Sequence, residues 1–305
     1  MLVTEPAAFL AEFSSGRHPP RQRATARGAF LVGPAGDALA AESARDNRYM
    51  DLACAPDAAR ALRQHARLAR RLGRDVPVVT FPGDPACPDG VFPNNVFATA
   101  DRQLIIGRMR HAVRRPEAAR DDIRGFFGDL LGYRTLDLSA RDDLVAELTG
   151  ALVIDRARGV GYCGLSERCD IAGARAMHEA FGLGLTFCFE LAPGEYHANV
   201  VLSVLAGRMA VLAQDGFRDA AAAGASVRAH AGAAIVLDAR QRQAFAGNAI
   251  ALAPDRAWMS SAAAATLEPA QLAALERRGF ALADAELDEI EKAGGSLRCC
   301  VAEIF

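Results

Sequence analysis

Apolar residues along this chain follow two alternating patterns. Short hydrophobic runs bounded by Gly, Pro or Asp read as buried strands, and stretches with apolar residues three and four apart read as helices. Residues 29–32 and 76–81 are predicted strands around a helix over 56–72. In that helix Ala58, Ala61, Leu62, Leu68 and Leu72 recur at helical spacing before Gly73. Strand pairs follow at 91–100 with 104–107, 151–154 with 159–163, and 200–205 with 209–212. Further helices are predicted over 116–131, 171–181, 219–231 and 269–278, with a helical turn over 287–293. Single strands are predicted over 185–189, 233–237, 250–253 and 279–282. The chain ends on Cys299-Cys300-Val301-Ala302-Glu303-Ile304-Phe305, which reads as a buried terminal strand after the turn Gly294-Gly295. Strands in twos and threes thus alternate with single helices at a spacing of roughly fifty to sixty residues, an α/β arrangement of repeated ββαβ units. No linker divides them, so residues 29–305 read as one domain. Residues 1–28 contain the polar stretch Ser14-Ser15-Gly16-Arg17-His18-Pro19-Pro20 and read as a mobile leader.

Composition narrows the class. With 51% hydrophobic and 24% charged residues, a net charge of −2 and a pI near 6.3, the chain has no basic excess for nucleic acid or an anionic membrane surface. The longest apolar stretch, 198–213, is interrupted by Arg208 and is too short for a bilayer. Seven cysteines without a CxxC pair suggest reduced thiols and a cytoplasmic location. No GxGxxG, Walker or GxSxG motif is present, and the histidines lack metal-ligand spacing, so neither cofactor nor metal is expected. A small-molecule partner is expected, and a homodimer stands open as an assembly.

Several positions could carry chemistry. Cys299 stands where a glycine turn meets the last strand; the plainer reading of both cysteines is small core hydrophobes. His197, in Pro193-Gly194-Glu195-Tyr196-His197-Ala198-Asn199, enters the apolar run from Val200. There its imidazole could serve a thiol, or simply cap a turn. Glu147 precedes the strand over 151–154, where a carboxylate could orient an imidazole, or remain a solvated loop charge. In Cys87-Pro88-Asp89-Gly90-Val91-Phe92-Pro93-Asn94-Asn95, the adjacent Asn94 and Asn95 on a predicted strand are costly unless their amides are paired. Arg108 and Arg168 each follow a strand and could grip a carboxylate, although most such charges are solvated.

Taken together these motifs resemble the guanidino-group-modifying, or pentein, superfamily. That superfamily includes arginine deiminases, dimethylarginine dimethylaminohydrolases, amidinotransferases and citrulline-hydrolysing enzymes. The resemblance covers 29–305 in four motifs: Pro88-Asp89-Gly90-Val91-Phe92-Pro93-Asn94-Asn95, Glu147-Leu148-Thr149-Gly150, Tyr196-His197-Ala198-Asn199 and Gly295-Ser296-Leu297-Arg298-Cys299-Cys300. The Phe-Pro-Asn-Asn form is most similar to the citrulline-hydrolysing branch. The resemblance implies a five-bladed α/β propeller, with Cys299 as nucleophile, His197 as acid–base and Glu147 as its orienting carboxylate. It further implies Asp89, Asn94 and Asn95 against the ureido or amidino group, and Arg108 and Arg168 on the substrate α-carboxylate. The activity implied is hydrolysis of a C–N bond through a thio-linked intermediate. The alternatives are transfer of an amidino group to an amine, or a catalytically silent binding protein. The sequence departs from arginine-type relatives in two places. No acid stands in Ala293-Gly294-Gly295, and Asn94-Asn95 replaces two acids, so a neutral ureido substrate such as citrulline is expected.

Overall fold

The computed structural model describes residues 1–17 and 22–305. Its strands fall into five small sheets built to one plan. In each, an antiparallel pair is followed by a third strand parallel to the second. Phe97–Ala100 pairs with Gln103–Ile106, then Arg134–Asp137. Leu152–Asp155 pairs with Val160–Leu165, then Leu185–Glu190. Leu202–Leu205 pairs with Met209–Ala213, then Ala234–Leu237. Ile250–Ala253 pairs with Arg256–Ser260, then Ala281–Ala285. The fifth sheet joins the two ends of the chain, with Ala302–Ile304 antiparallel to Gly28–Val32 and Val78–Phe81 parallel beyond it.

A parallel third strand requires a crossover, and helices supply it. Ala58–Leu72, Ile171–Ala180, Ala220–Ala229 and Pro269–Arg277 each link a second strand to a third. Three of them open on an aspartate cap: Asp57 accepts from the Arg60 N–H, Asp170 from Gly173 and Asp219 from Ala221. The first strands of neighbouring sheets pack on one another, 302–304 on 97–100, 152–155 on 202–205 and 202–205 on 250–253. One apolar cluster accordingly spans two sheets, joining Val153, Tyr162 and Phe187 to Leu202 and Leu212.

Several expectations change. Residues 1–17 do not form a mobile leader: Leu2–Val3 pairs with Thr186 and Phe187, and the helix Pro6–Ser15 buries Phe9 against Phe187 at 4.4 Å between ring centres. The polar residues that follow outweigh this short apolar face in the sequence. The part of the expected leader at 18–21 lies outside the described residues. The strand expected over 91–100 shortens to Phe97–Ala100, because Pro93 starts a 3-10 turn that carries Asn94 and Asn95. The helix expected over 116–131 is broken into a 3-10 segment around Pro116, a short α-helix Asp121–Gly125 and a π-turn Phe126–Leu130. The strands 134–137 and 256–260 escaped the pattern, since Arg134 and Arg256 open them with charge. Among the described residues no helix is long and apolar enough to cross a membrane.

Candidate active site

The polar residues of interest stand in the turns that lead into the first strand of each sheet. Asn94 and Asn95 precede Phe97, and Glu147 caps the turn Leu148–Ala151. His197 caps the turn Ala198–Val201, Asn248 stands just before Ile250, and Cys299 lies in the bend before Ala302. Because the first strands pack together, these turns meet.

His197 Nε2 lies 2.9 Å from Glu147 Oε2, with both side chains fully buried. Glu147 also takes the Arg110 N–H at 3.1 Å and Arg168 Nη1 at 3.3 Å. Burial opposes its charge, but the Arg168 guanidinium and the His197 hydrogen bond outweigh this and hold its carboxyl well below the usual range. An ionised carboxylate needs a donor, so His197 Nε2 carries the proton and Nδ1 is the bare acceptor. Burial lowers the imidazole's own pKa, partly opposed by Glu147, which keeps the ring neutral at rest. Its Nδ1 is buried and has no hydrogen-bond partner among the described residues. Gly150 makes the close approach possible, since a Cβ there would lie 2.6 Å from Asn95 Oδ1 and 2.7 Å from His197 Cε1.

Cys299, two turns away, is also buried. Its sulfur lies 3.3 Å from Asn248 Nδ2 and 3.7 Å from the amide of Asn199, two residues beyond His197. Burial raises the thiol's pKa, while the Ser296 backbone, Asn248, the Arg298 charge and Asn199 pull it back. Thiol and imidazole are therefore both neutral at rest.

Cys299 lines a small hollow with Ser43, Asp89, Phe92, Asn95 and Tyr196. Two of its lining residues carry buried polar atoms without hydrogen-bond partners among the described residues, Asp89 Oδ1 and Asn95 Oδ1. Both amide atoms of Asn94, in the same turn as Asn95, and His197 Nδ1, which meets Asn95 across Gly150, are likewise unpaired. Orphaned groups of this kind are costly in a finished core, which makes this hollow and its neighbouring turns the candidate site. Asp89 Oδ2 accepts from Ser43 at 2.5 Å, and Arg114, clamped by Glu117, stands 3.9 Å away. The connection between Val32 and Ala58 covers this hollow through Ser43 and Asn47, the latter donating to Gly294 O at 3.1 Å, while Asp46 between them is held by Arg168. Beyond it opens a cleft of about 740 Å³, with Asn47 and Tyr196 forming the shared wall.

The structure thus brings Glu147, His197, Cys299, Asp89, Asn94 and Asn95 into one region. Arg168 reaches it differently from expectation. Four hydrogen bonds commit its guanidinium to Asp46, the Ser43 carbonyl and Glu147, so it braces Glu147 and leaves little to offer a substrate carboxylate. Arg108 bonds the exposed Asp142 at 2.5 Å and the Ser139 carbonyl at 3.1 Å. Ser43, Asp46, Arg114, Asn199 and Asn248 were not foreseen in these positions. Asn248 was visible only as a polar residue in Gly247-Asn248-Ala249, indistinguishable from turn chemistry.

A sequence profile for N,N dimethylarginine dimethylhydrolase, eukaryotic, matches residues 37–305. The chain belongs to this family. With it the chain falls in the guanidino-group-modifying superfamily. No curated protein matches this family member by sequence. Its fold is shared by the product-bound N-terminal domain of ArgZ, an arginine dihydrolase of the cyanobacterial ornithine-ammonia cycle. The TM-score is 0.77 at 19% identity, covering 91% of this chain and 97% of that one. Unliganded AgrE matches at 0.76 and 19%, covering 91% of this chain and 39% of that one. A dimethylarginine dimethylaminohydrolase in adduct with 4-chloro-2-hydroxymethylpyridine matches at 0.66 and 22%, covering 91% of this chain and 99% of that one. These likenesses are of the mixed α/β fold.

Proposed function

We propose that the protein hydrolyses a C–N bond of a ureido or guanidino amino acid through a covalent intermediate on Cys299. The observation that carries this reading is the group of orphaned polar atoms near a buried thiol, from Asp89 and Asn95 in the hollow that Cys299 lines and from the adjoining Asn94 and His197. A planar ureido or amidino head, rich in N–H groups, would satisfy them. The names of the family and of the ArgZ neighbour favour a hydrolase over an amidinotransferase. The repeated sheet plan, with first strands packed side by side, supports a five-bladed propeller whose centre holds the site.

The sulfur attacks the central carbon of the head group, and the thiol proton passes to His197 Nδ1. From there it moves to the departing nitrogen as the C–N bond breaks. Water then gives a proton to the freed His197 Nδ1 as its oxygen attacks the carbon of the thio-linked intermediate, and that proton passes from Nδ1 to the sulfur as the C–S bond breaks. Glu147 stabilises the imidazolium formed between the steps. Asp89, Asn94 and Asn95 hold the head group. Arg108 takes the α-carboxylate by exchanging it for Asp142, an exposed partner of the kind worth about 1 kcal/mol or less.

For the substrate we favour a neutral ureido compound of the citrulline type. Among the described residues lining the hollow, only one carboxylate oxygen, Asp89 Oδ1, is left free, and the Arg114 charge stands behind it. A buried cation would find little compensation there. Turnover of citrulline, arginine and dimethylarginine by the purified protein tests this, and arginine or dimethylarginine as clearly the best substrate overturns the charge argument. Full turnover by Cys299→Ala overturns the mechanism itself.

A further inference from the structure

Four of the five entry turns supply groups that the proposed chemistry uses; the turn before Ile250–Ala253 supplies Asn248, which it does not. We propose that Asn248 is a positioning residue for the nucleophile, an obligatory N–H donor to the Cys299 sulfur that holds it as the thiolate forms. The proposal rests on Cys299 being the nucleophile.

The hydrogen bonds of Asn248 fix which way its amide faces. The side chain is fully buried. Its Oδ1 accepts the backbone N–H of Arg298 at 2.9 Å, one residue before the nucleophile. That bond leaves Nδ2 for the other side, where it meets the Asn199 carbonyl at 2.8 Å and Cys299 Sγ at 3.3 Å. Turning the amide over would set Oδ1 against a carbonyl and Nδ2 against an N–H, losing both bonds. Asn248 therefore cannot accept from the thiol; it can only donate to sulfur. A donor of this sort gains strength when its acceptor becomes an anion. Asn199 differs: both its Oδ1 and its Nδ2 lie 3.7 Å from the sulfur, so it can accept from the thiol or donate to the thiolate. The same amide of Asn248 ties the turn that follows His197 to the turn that carries Cys299, and so sets the sulfur's place relative to the base.

The experiment is the pH profile of Cys299 alkylation by iodoacetamide in the absence of substrate, read by peptide mass spectrometry so that other cysteines do not interfere. Asn248→Asp keeps an oxygen for the Arg298 N–H but puts a carboxylate oxygen where the donor was. Its midpoint is expected to rise by about a unit or more, which is about tenfold slower labelling at a fixed pH below the midpoint. Asn248→Ala, which removes the donor without adding charge, is expected to raise it by less. In both, kcat should fall more than KM changes. A lowered melting temperature with the midpoint unmoved in a folded Ala or Asp variant would show a structural clip only and overturn the proposal. Activity surviving in Cys299→Ala would instead remove the nucleophile reading on which it rests.

Discussion

Adjacent cysteines with the same burial need not have the same chemistry. Cys299 has the amides of Asn199 and Asn248, the Ser296 backbone and the Arg298 charge to support a thiolate. Cys300 has none of these: its sulfur meets the Ser296 carbonyl at 3.5 Å, and burial followed by the neighbouring Cys299 and Glu291 pushes its pKa far up. Cys300→Ala should therefore keep turnover and labelling by chloroacetamidine, while Cys299→Ala should lose both. Labelling that survives in the second variant and vanishes in the first moves the nucleophile by one residue. At this scale the meeting of Glu147 with His197, and of Cys299 with Asn95 in one hollow, was legible because each residue sits in a distinctive motif. Arg168 was misjudged, because a sequence shows a guanidinium but not the Asp46 carboxylate, far along the chain, that occupies it. Asn248 was passed over because an asparagine after glycine is common wherever the backbone turns.

The elements that present these residues are turns too short to be read as periodic structure. The apolar run from Val200 hides the helical turn Ala198–Val201, and the run from Val91 hides the 3-10 turn at Pro93. Hydrophobic periodicity finds buried segments but does not tell a strand from the tight turn feeding it. The turns impose their own requirement at Gly150, where a methyl group would press on both Asn95 and the imidazole. Gly150→Ala should push the His197 ring off its line and cut kcat by at least tenfold, with a small change in melting temperature because the ring can shift. Unchanged kcat in the folded variant would mean that the ring's present place is not the working one. The covering segment makes a second demand. Asp46 pairs with Arg168 at 2.7 Å and His111 at 3.1 Å, holding that segment closed over the hollow. Asp46→Ala should loosen it and raise KM, and it should speed cleavage there in limited proteolysis. Proteolysis at the native rate would count against the clamp.

At the scale of the whole molecule, the repeat was legible because each unit carries its own apolar runs, whereas the closure of the chain was not. The final strand finds its partner in Gly28–Val32, hundreds of residues away, and no local pattern announces such a pairing. The fold's response to pH follows from what these units bury. His65 lies in the helix between 58 and 72, and His230 follows the helix Ala220–Ala229, with its Nε2 2.9 Å from the Tyr162 hydroxyl. Burial lowers both from the ordinary 6.5 to about 4. For a group depressed on folding, the unfolded chain takes up protons first. The stability due to each histidine is thus complete above about pH 6.5 and is lost as pH falls towards 4, a difference of roughly 3 kcal/mol apiece. Glu147, also depressed, adds to the loss below the ordinary carboxylate range. Cys299 acts at the other end: its raised thiol pKa means that stability declines as pH climbs past the ordinary thiol value. Melting temperature should consequently show a plateau from about pH 6.5 to 8.5, with a steep acid limb. His65→Gln cannot titrate there, so its acid limb should be visibly shallower even if the variant is less stable at neutral pH. An acid limb of unchanged slope would show that His65 is not among the groups that drive acid unfolding.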